Sequence, residues 1–431
     1  MLSIGDEMDL RELKALEIAA RSRITFDGSA WVVPSQAGNG KYRVAIDSEP
    51  SCECEDFSLR RLPCKHIIAA RLVRARDHGG KSPAIETDAV PKRKTYKQNW
   101  AVYNEAQATE KTRFQELLSD LCRGIEEPPR SVKAGKKIRM ADRVFASAFK
   151  VFSTYSGRRF MSDLNDAHDR GLIGCVMNPM TVMDFIESED ITPYLYQLIE
   201  RSAWPLRAIE STFAPDSSGF SASRFVRWYD EKYGGERSGR AWVKAHVMTG
   251  TTTNVITAAI VEGPNTGDCP QFKPLMERTI ANGFKVNEVC GDKAYLSKEN
   301  LELAAKHGAA TYIPFKSNSV PGEPGTLWEK LFGFFQFNRA DFLARYHQRS
   351  NVESTFSMVK AKFRDSVRSK TDTATRNEVL LKFLCHNLVV VHQAIMELGI
   401  AATFWPEKPT GEVTTLKFDR RNQNADAGIS G

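Results

Sequence analysis

Three of the eight cysteines in this 431-residue chain fall within thirteen residues, in CECEDFSLRRLPCKH (52–66), and nothing else in the sequence restricts its folding as tightly. Cys52 and Cys54 stand two apart, so an extended segment turns both sulfurs to one side. Cys64 and His66 repeat that spacing at the start of a helical run, HIIAARLVRAR. Three thiols and an imidazole that converge in this way suit a closed tetrahedral zinc site, which stabilises a module with little core of its own. One structural Zn2+ held by Cys52, Cys54, Cys64 and His66 is therefore expected. The preceding residues, 24–46, read as a hairpin, with ITFDGSAWVVP and KYRVAI strand-like and SQAGNG as turn chemistry. The other cysteines, Cys122, Cys175, Cys269, Cys290 and Cys385, lie singly among apolar neighbours, which suits a reducing compartment better than a disulfide framework.

The chain is longer than one core usually supports, so two or three domains are expected. The polar stretch DHGGKSPAIETDAVPKRK sets a boundary near residue 90. Residues 100–126 and 141–203 carry apolar residues at helical spacing, as in RFQELLSDLCRGI and PYLYQLIERSA. From about 205 the pattern changes to short β-branched runs, IESTFAPD, WVKAHVMTG, NVITAAIVEG and KVNEVCGD, then to strand–helix alternation, which implies a mixed sheet in an α/β or α+β core. The last thirty residues are polar and expected to be flexible. No run reaches the roughly 18 uninterrupted apolar residues of a membrane span, and the acidic N-terminus is unlike a secretory signal, so an intracellular protein without membrane partners is expected. The net charge of +7 is concentrated in PKRKTYK (91–97), RSVKAGKKIRMADR (130–143) and KAKFRDSVRSK (360–370). Three basic clusters in one chain point to a polyanionic partner, and nucleic acid is the obvious one.

In YHQRSNVESTFSMVK (346–360), read as one helix at about 100° per residue, Tyr346, Arg349, Glu353 and Lys360 fall within roughly a 60° arc. As a solvated stripe this arrangement contributes little. Base before acid is the less favourable order, and an exposed pair is worth only about 0.3 kcal/mol. Two aspartates stand where strands are expected to end: Asp216 after IESTFAP and before the turn-like SSGF, and Asp292 after VNEVC and a glycine, with Ser297 available to cap the next helix. Either alone also reads as an ordinary turn aspartate. With Glu353 they form a set of three carboxylates. Hard divalent ions want oxygen anions, and two ions about 4 Å apart suit phosphodiester chemistry.

The C-x-C then C-x-H arrangement, with its hairpin and following helix, closely resembles the SWIM zinc finger over roughly residues 24–75. The spacing Y-x2-R-x3-E-x6-K resembles the signature of DDE-type insertion-sequence transposases of the Y-R-E-K group; APDSSGF resembles that group's first-aspartate motif and VCGDKAY its second. The resemblance spans about 205–395. It implies an RNase H-like catalytic domain, Asp216, Asp292 and Glu353 as catalytic ligands of two Mg2+ (or Mn2+) ions, and Tyr346, Arg349 and Lys360 as residues that position DNA phosphates. This chain departs from the commonest form at Pro215 and the serine pair after Asp216. The sixty residues between Asp292 and Glu353 leave little room for the large β-rich insertion of some relatives.

The expected architecture is thus multidomain α/β: a SWIM-like zinc module (1–90), a helical DNA-binding region (91–203), an RNase H-like DDE catalytic domain with a mixed sheet (204–400) and a polar tail (401–431). The expected function is a prokaryotic, cytoplasmic, nucleoid-associated cut-and-paste transposase that acts on double-stranded DNA, both element ends and target, as a homodimer on paired ends. A non-catalytic DNA-binding regulator and an RNase H-like nuclease or resolvase without strand transfer are the alternatives. Trp328, His246, His386 and Asn387 read as structural, and Asp268 as a helix cap.

Overall fold

The structure, a computed structural model, describes residues 10–27, 29–36, 40–46, 49–77, 99–127, 138–222 and 242–405. The chain divides into two compact units, Met1–Lys94 and Thr95–Gly431. The boundary near residue 90, PKRKTYK, most of the 130–143 basic cluster and nearly all of the polar tail lie outside the described residues.

In the first unit an antiparallel sheet runs in the order β1 (Thr25–Phe26), β2 (Trp31–Pro34), β3 (Lys41–Ala45), β4 (Ser51–Cys52). The first strand-like stretch is two strands and not one. Asp27 breaks it by accepting hydrogen bonds from the N–H groups of Ser29 (3.0 Å) and Ala30 (2.8 Å), the side-chain turn that aspartate favours. Helices α1 (Leu10–Arg21) and α3 (Lys65–Asp77) pack together, and the short α2 (Glu55–Arg60) lies between β4 and α3 in the chain. The core is small: Val33, Val44, Phe57, Ile67, Val73 and a few neighbours. Such a core leaves a unit of this size marginal without further support.

The second unit is built on the sheet order β7 (Ile256–Glu262), β6 (Trp242–Gly250), β5 (Thr212–Ala222), β8 (Glu288–Cys290), β9 (Ala310–Tyr312). The pairs β5–β6 and β6–β7 are antiparallel, whereas β5–β8 and β8–β9 are parallel, which makes the sheet mixed as expected. Strand β5 is longer than the sequence reading gave. SSGF continues it because β6 pairs along its whole length, from Phe213 opposite Gly250 to Ser221 opposite Trp242. Gly219 is there for space and not for a turn, since a Cβ would lie 3.0 Å from the Trp242 ring.

Among the described residues, seven helices flank or precede the sheet up to β9: α4 (Trp100–Arg123), α5 (Met140–Ser153), α6 (Gly157–Asp169), α7 (Pro179–Glu187), α8 (Thr192–Ala203), α9 (Phe272–Ala281) and α10 (Lys298–Lys306). After β9 come α11 (Leu327–Phe337), α12 (Arg339–Tyr346), α13 (Ser350–Phe363), the short strand β10 (Ser366–Val367), which pairs with the far end of β5, and α14 (Asp372–Leu398). Helix α14 is long and apolar enough by composition to cross a membrane, yet 78% of its most apolar window is buried inside the protein. It is the core helix against which α4, α5, α7, α8 and α13 pack. The helical segment before residue 204 therefore shares one hydrophobic core with the sheet. At the start of the polar tail, Phe404 and Trp405 are buried, with Trp405 Nε1 donating to the Leu121 carbonyl (3.2 Å).

Buried polar groups tie these layers together. Asn387 of α14 donates to the carbonyls of Ile256 (2.7 Å) and Ile199 (3.1 Å) and to Ser202 Oγ (3.0 Å), and accepts from the Ile256 N–H (2.8 Å). His386 Nε2 meets the Asn254 carbonyl at 2.9 Å. Buried Glu210 accepts from the N–H groups of Thr252 (3.2 Å) and Thr253 (2.5 Å), and so holds the β6–β7 turn against the entry to β5. Trp328 packs edge-on against Phe315 and donates to the Val320 carbonyl.

Candidate active site and zinc centre

The cysteine cluster closes as the sequence requires. Cys52 ends β4, Cys64 lies at the start of α3, and His66 is in its first turn. Cys54 is not in the strand. It is the N-cap of α2 in an extended conformation, with its Sγ accepting from the Phe57 N–H at 3.4 Å. All four side chains are buried, and their ligand atoms lie within 4.8 Å of one another. His66 Nδ1 is 3.8 Å from Cys52 Sγ and 3.9 Å from Cys64 Sγ. A tetrahedral zinc–thiolate site has edges of about 3.8 Å, so the donor set fits Zn2+. The electrostatics of the bare cluster agree. The hydrogen bond from Cys52, and then that from His66, hold the Cys64 thiol down to about 3, while donating that bond pushes Cys52 up, and burial pushes up Cys54. One thiolate is tolerated there; three need a cation. The His66 ring packs against Tyr42, with centroids 4.5 Å apart and planes tilted by 32°, which restricts its orientation.

The carboxylates gather in the second unit. Asp216 lies inside β5 rather than at its end. Strand β8 pairs with β5 only at Thr212 and Phe213, and β10 only at Ser221 and Ala222. Among the described residues the β5 edge at Asp216 thus carries no strand partner, and α13 packs against β5. Asp292 follows β8 at the start of a 3-10 turn, Lys293–Tyr295, and Ser297 caps α10 by accepting from the Asn300 N–H (3.1 Å). Glu353 stands in the first turn of α13. Helix α13 is held on the β6–β7 turn by Asn351 Nδ2 to the Thr251 carbonyl (2.7 Å) and Thr355 Oγ1 to Asn254 Oδ1 (3.3 Å).

The stretch 346–360 is not one helix. Tyr346 ends α12, a 3-10 turn spans His347–Arg349, and α13 starts at Ser350. The break comes where Cys290 Sγ donates to the Arg345 carbonyl (3.3 Å) and Arg345 Nη1 pairs with Glu288 (2.8 Å), so that β8 holds the end of α12. The break turns Arg349 inward. Its guanidinium lies 3.8 Å from Asp216 Oδ1, 3.7 Å from Asp292 Oδ2 and 2.8 Å from Glu353 Oε1. A single arginine is thus common to all three carboxylates, and its buried Nε has no hydrogen-bond partner among the described residues. Among the described residues, the cysteine–histidine set is the only group of three or more potential ligands whose atoms lie within 4.8 Å; the carboxylates are spread more widely, around this guanidinium.

Burial raises the Asp216 pKa, with Glu353 and Asp292 adding to the rise and Arg349 opposing it. The Tyr346 phenol beside Arg349 is raised by burial as well. Lys360, two turns after Glu353, donates to Ser218 Oγ (2.7 Å) and lies 5.3 Å from the centre of the Phe220 ring. Burial lowers its pKa. Residues 216, 218 and 220 alternate onto one face of β5, the face that α13 covers. Ser218 is a contact the sequence reading missed, and its signal was that two-residue step from Asp216.

On the other face of β5, His246 is fully buried and 3.4 Å from Asp268 Oδ1, which also pairs with Lys244 (2.8 Å). Asp268 makes no side-chain capping bond; the lysine and histidine of β6 take its carboxylate instead.

Residues 207–388 match the family model of the transposase DDE domain, and residues 42–73 match that of the SWIM zinc finger. No curated protein matches the chain.

Proposed function

We propose, from the premise that this chain carries a transposase DDE domain and a SWIM zinc finger, that it is a cut-and-paste DNA transposase with Asp216, Asp292 and Glu353 as its catalytic carboxylates. The observation that supports this most is their arrangement around one cation, at 3.8, 3.7 and 2.8 Å from the Arg349 guanidinium, inside the matched domain. Three acidic side chains that share a positive centre, one with a pKa raised by burial and by the other two, form a donor set that fits hard divalent cations. Mg2+ or Mn2+, two ions held by Asp216, Asp292 and Glu353, would activate the attacking oxygen and stabilise the leaving oxygen.

The chain's own residues supply the rest. Lys360, fixed by Ser218, and Tyr346 flank the carboxylates and hold the phosphate of the scissile strand. Arg349, which pairs with the carboxylates here, would be free to hold a phosphate through its forked donors once cations took its place. In the first step water attacks the scissile phosphorus, the P–O3′ bond breaks at the element end, and a 3′ hydroxyl is freed. In the second that hydroxyl attacks a target phosphodiester and displaces a new 3′ hydroxyl. Both are in-line phosphoryl transfers, so positioning and electrostatics suffice and no Ser or Tyr nucleophile is needed. The zinc module and the helical segment bind the element ends, and a homodimer holds two ends together.

Asp292→Ala and Glu353→Ala should abolish cleavage of duplex DNA while binding is largely kept; cleavage by either variant at the wild-type rate overturns the assignment. A strand-joining assay with a pre-cut 3′ hydroxyl end then tells a transposase from a nuclease of the same fold, since a nuclease gives hydrolysis and no joined product.

A further inference from the structure

Of the basic run 360–370, the catalytic reading uses only Lys360. Two of its arginines, Arg364 and Arg368, meet Lys150 of α5 and Arg159 of α6 around a cavity of about 830 Å³ that is also lined by Tyr155 and Met183. We propose that this cavity is a second DNA contact, a subsite for backbone phosphates of the duplex that flanks the scissile position.

Four cationic side chains, from α5, α6 and the segment after α13, converge there, and among the described residues no carboxylate lines the cavity. Lys150 is only 6% exposed, and its Nζ donates to the Tyr155 carbonyl (2.6 Å), the same oxygen that Arg368 Nη1 reaches at 3.0 Å. Two cations therefore share one neutral acceptor. The nearby carboxylate of Glu378 is engaged by the N–H groups of Arg368 (2.9 Å) and Ser369 (2.9 Å) and by Ser369 Oγ (2.8 Å). Burial, and then the charge of Arg368, lower Lys150 to about 8, with the more distant carboxylate of Glu378 only partly opposing them. Arg364 has φ +72°, a conformation that L-residues rarely adopt, so its guanidinium is presented against backbone preference. Ser156 and Gly157, also in the lining, begin α6 without a side-chain capping bond, which leaves N–H groups suited to a phosphate oxygen.

The spacing favours a duplex over a free anion. Helix α13 carries Glu353 and Lys360 and leads directly into Arg364. From Glu353 to Arg364 the rise is about 16 Å at 1.5 Å per residue, which corresponds to about five base-pair steps of 3.4 Å. One helix thus spans the distance between the candidate carboxylates and a phosphate about five steps along the same DNA.

This proposal rests on the DNA-cutting reading and is tested separately from it. Binding of the full chain to a duplex of arbitrary sequence is followed by fluorescence anisotropy between about 50 and about 200 mM salt. The cavity variant combines Arg159→Ala, Arg364→Gly and Arg368→Ala, where glycine suits the φ at 364. The control combines Lys273→Ala, Lys306→Ala and Lys330→Ala, equal in charge and exposed on α9, α10 and α11, outside the cavity and outside the segments that bind the element ends. The slope of log K against log salt should become shallower by about 2.7 in the cavity variant, about 0.9 for each phosphate lost, and stay near wild type in the control. Equal slopes in the two variants overturn the proposal. So does a site for free phosphate alone, which would show as wild-type stabilisation by inorganic phosphate with no difference in slope. Wild-type cleavage with no slope difference sinks the subsite only, whereas absent cleavage sinks the catalytic reading and leaves the slope comparison to decide.

Discussion

Arg349→Ala should turn the second unit into a protein that depends on divalent cations for stability. Arg349 and Asp216 are 17% and 18% exposed, so this is a largely buried pair, and removing one partner strands the other charge at a cost of about 3–5 kcal/mol. Asp292 and Glu353, 41% and 59% exposed, keep most of their hydration, and each of their pairs with Arg349 adds at most about 1 kcal/mol. The expected loss is therefore about 3–5 kcal/mol, most of it from Asp216. Chemical denaturation of the full chain, followed on the transition of the larger unit without divalent ions, measures it. Mn2+ at about a hundred times its dissociation constant should return about 2.7 kcal/mol to the variant. Asp216→Asn in the same background should restore stability without metal, because an amide has no charge to strand. A loss below about 1 kcal/mol, indifference to Mn2+, or failure of the Asn rescue would refute the reasoning, since each requires the carboxylates to be independent of Arg349.

Other outcomes follow from buried groups away from the triad. Burial lowers both His246 and His386 from 6.5 to about 4. As pH falls through 6.5 the unfolded chain binds protons that the native state refuses until about 4, so the stability they contribute is full above 6.5 and is lost across that window. By pH 5 the loss should be about 2 kcal/mol per histidine, and a denaturation midpoint flat from pH 7 to 5 contradicts it. Cys64→Ser should release the zinc, as read by metal analysis of the purified chain, and unfold the smaller unit while the larger unit's transition is unchanged; retained zinc at full stoichiometry refutes the ligand set. Asn387→Leu removes the bonds to Ile256, Ile199 and Ser202 and leaves buried backbone groups unsatisfied, so it should cost about 3 kcal/mol or more, and a loss under about 1 kcal/mol would show that these bonds carry little.

Much of the fold was legible because the relevant signals are local. The spacing of Cys52, Cys54, Cys64 and His66 carries its own geometry. The short β-branched runs WVKAHVMTG and NVITAAIVEG mark strands whatever they pair with, and β6 and β7 are those strands. The errors came where a partner decides. Serines and a glycine after Asp216 read as a turn by propensity, but pairing with β6 draws them into β5, and Gly219 leaves room for the Trp242 ring, 3.0 Å from where a Cβ would stand. ITFDGSAWVVP read as one strand because an aspartate's bond to its own backbone three residues on cannot be counted from composition. Asp268 read as a cap because Lys244 and His246, more than twenty residues earlier, were not known to face it.

By itself the sequence determined the small set of chemistries open to this chain: four soft donors at fixed local spacing, and three carboxylates set in strand and helix patterns. Residue type and near-neighbour geometry settle which ions and which backbone periods are possible. Only the tertiary structure decided that Asp216, Asp292 and Glu353 face one guanidinium, and that Lys150 and Arg159 join Arg364 and Arg368 around one cavity. Those groups lie many tens of residues apart, and what holds them together is burial of the shared core, an energy that belongs to the packed layers and is written in no single segment.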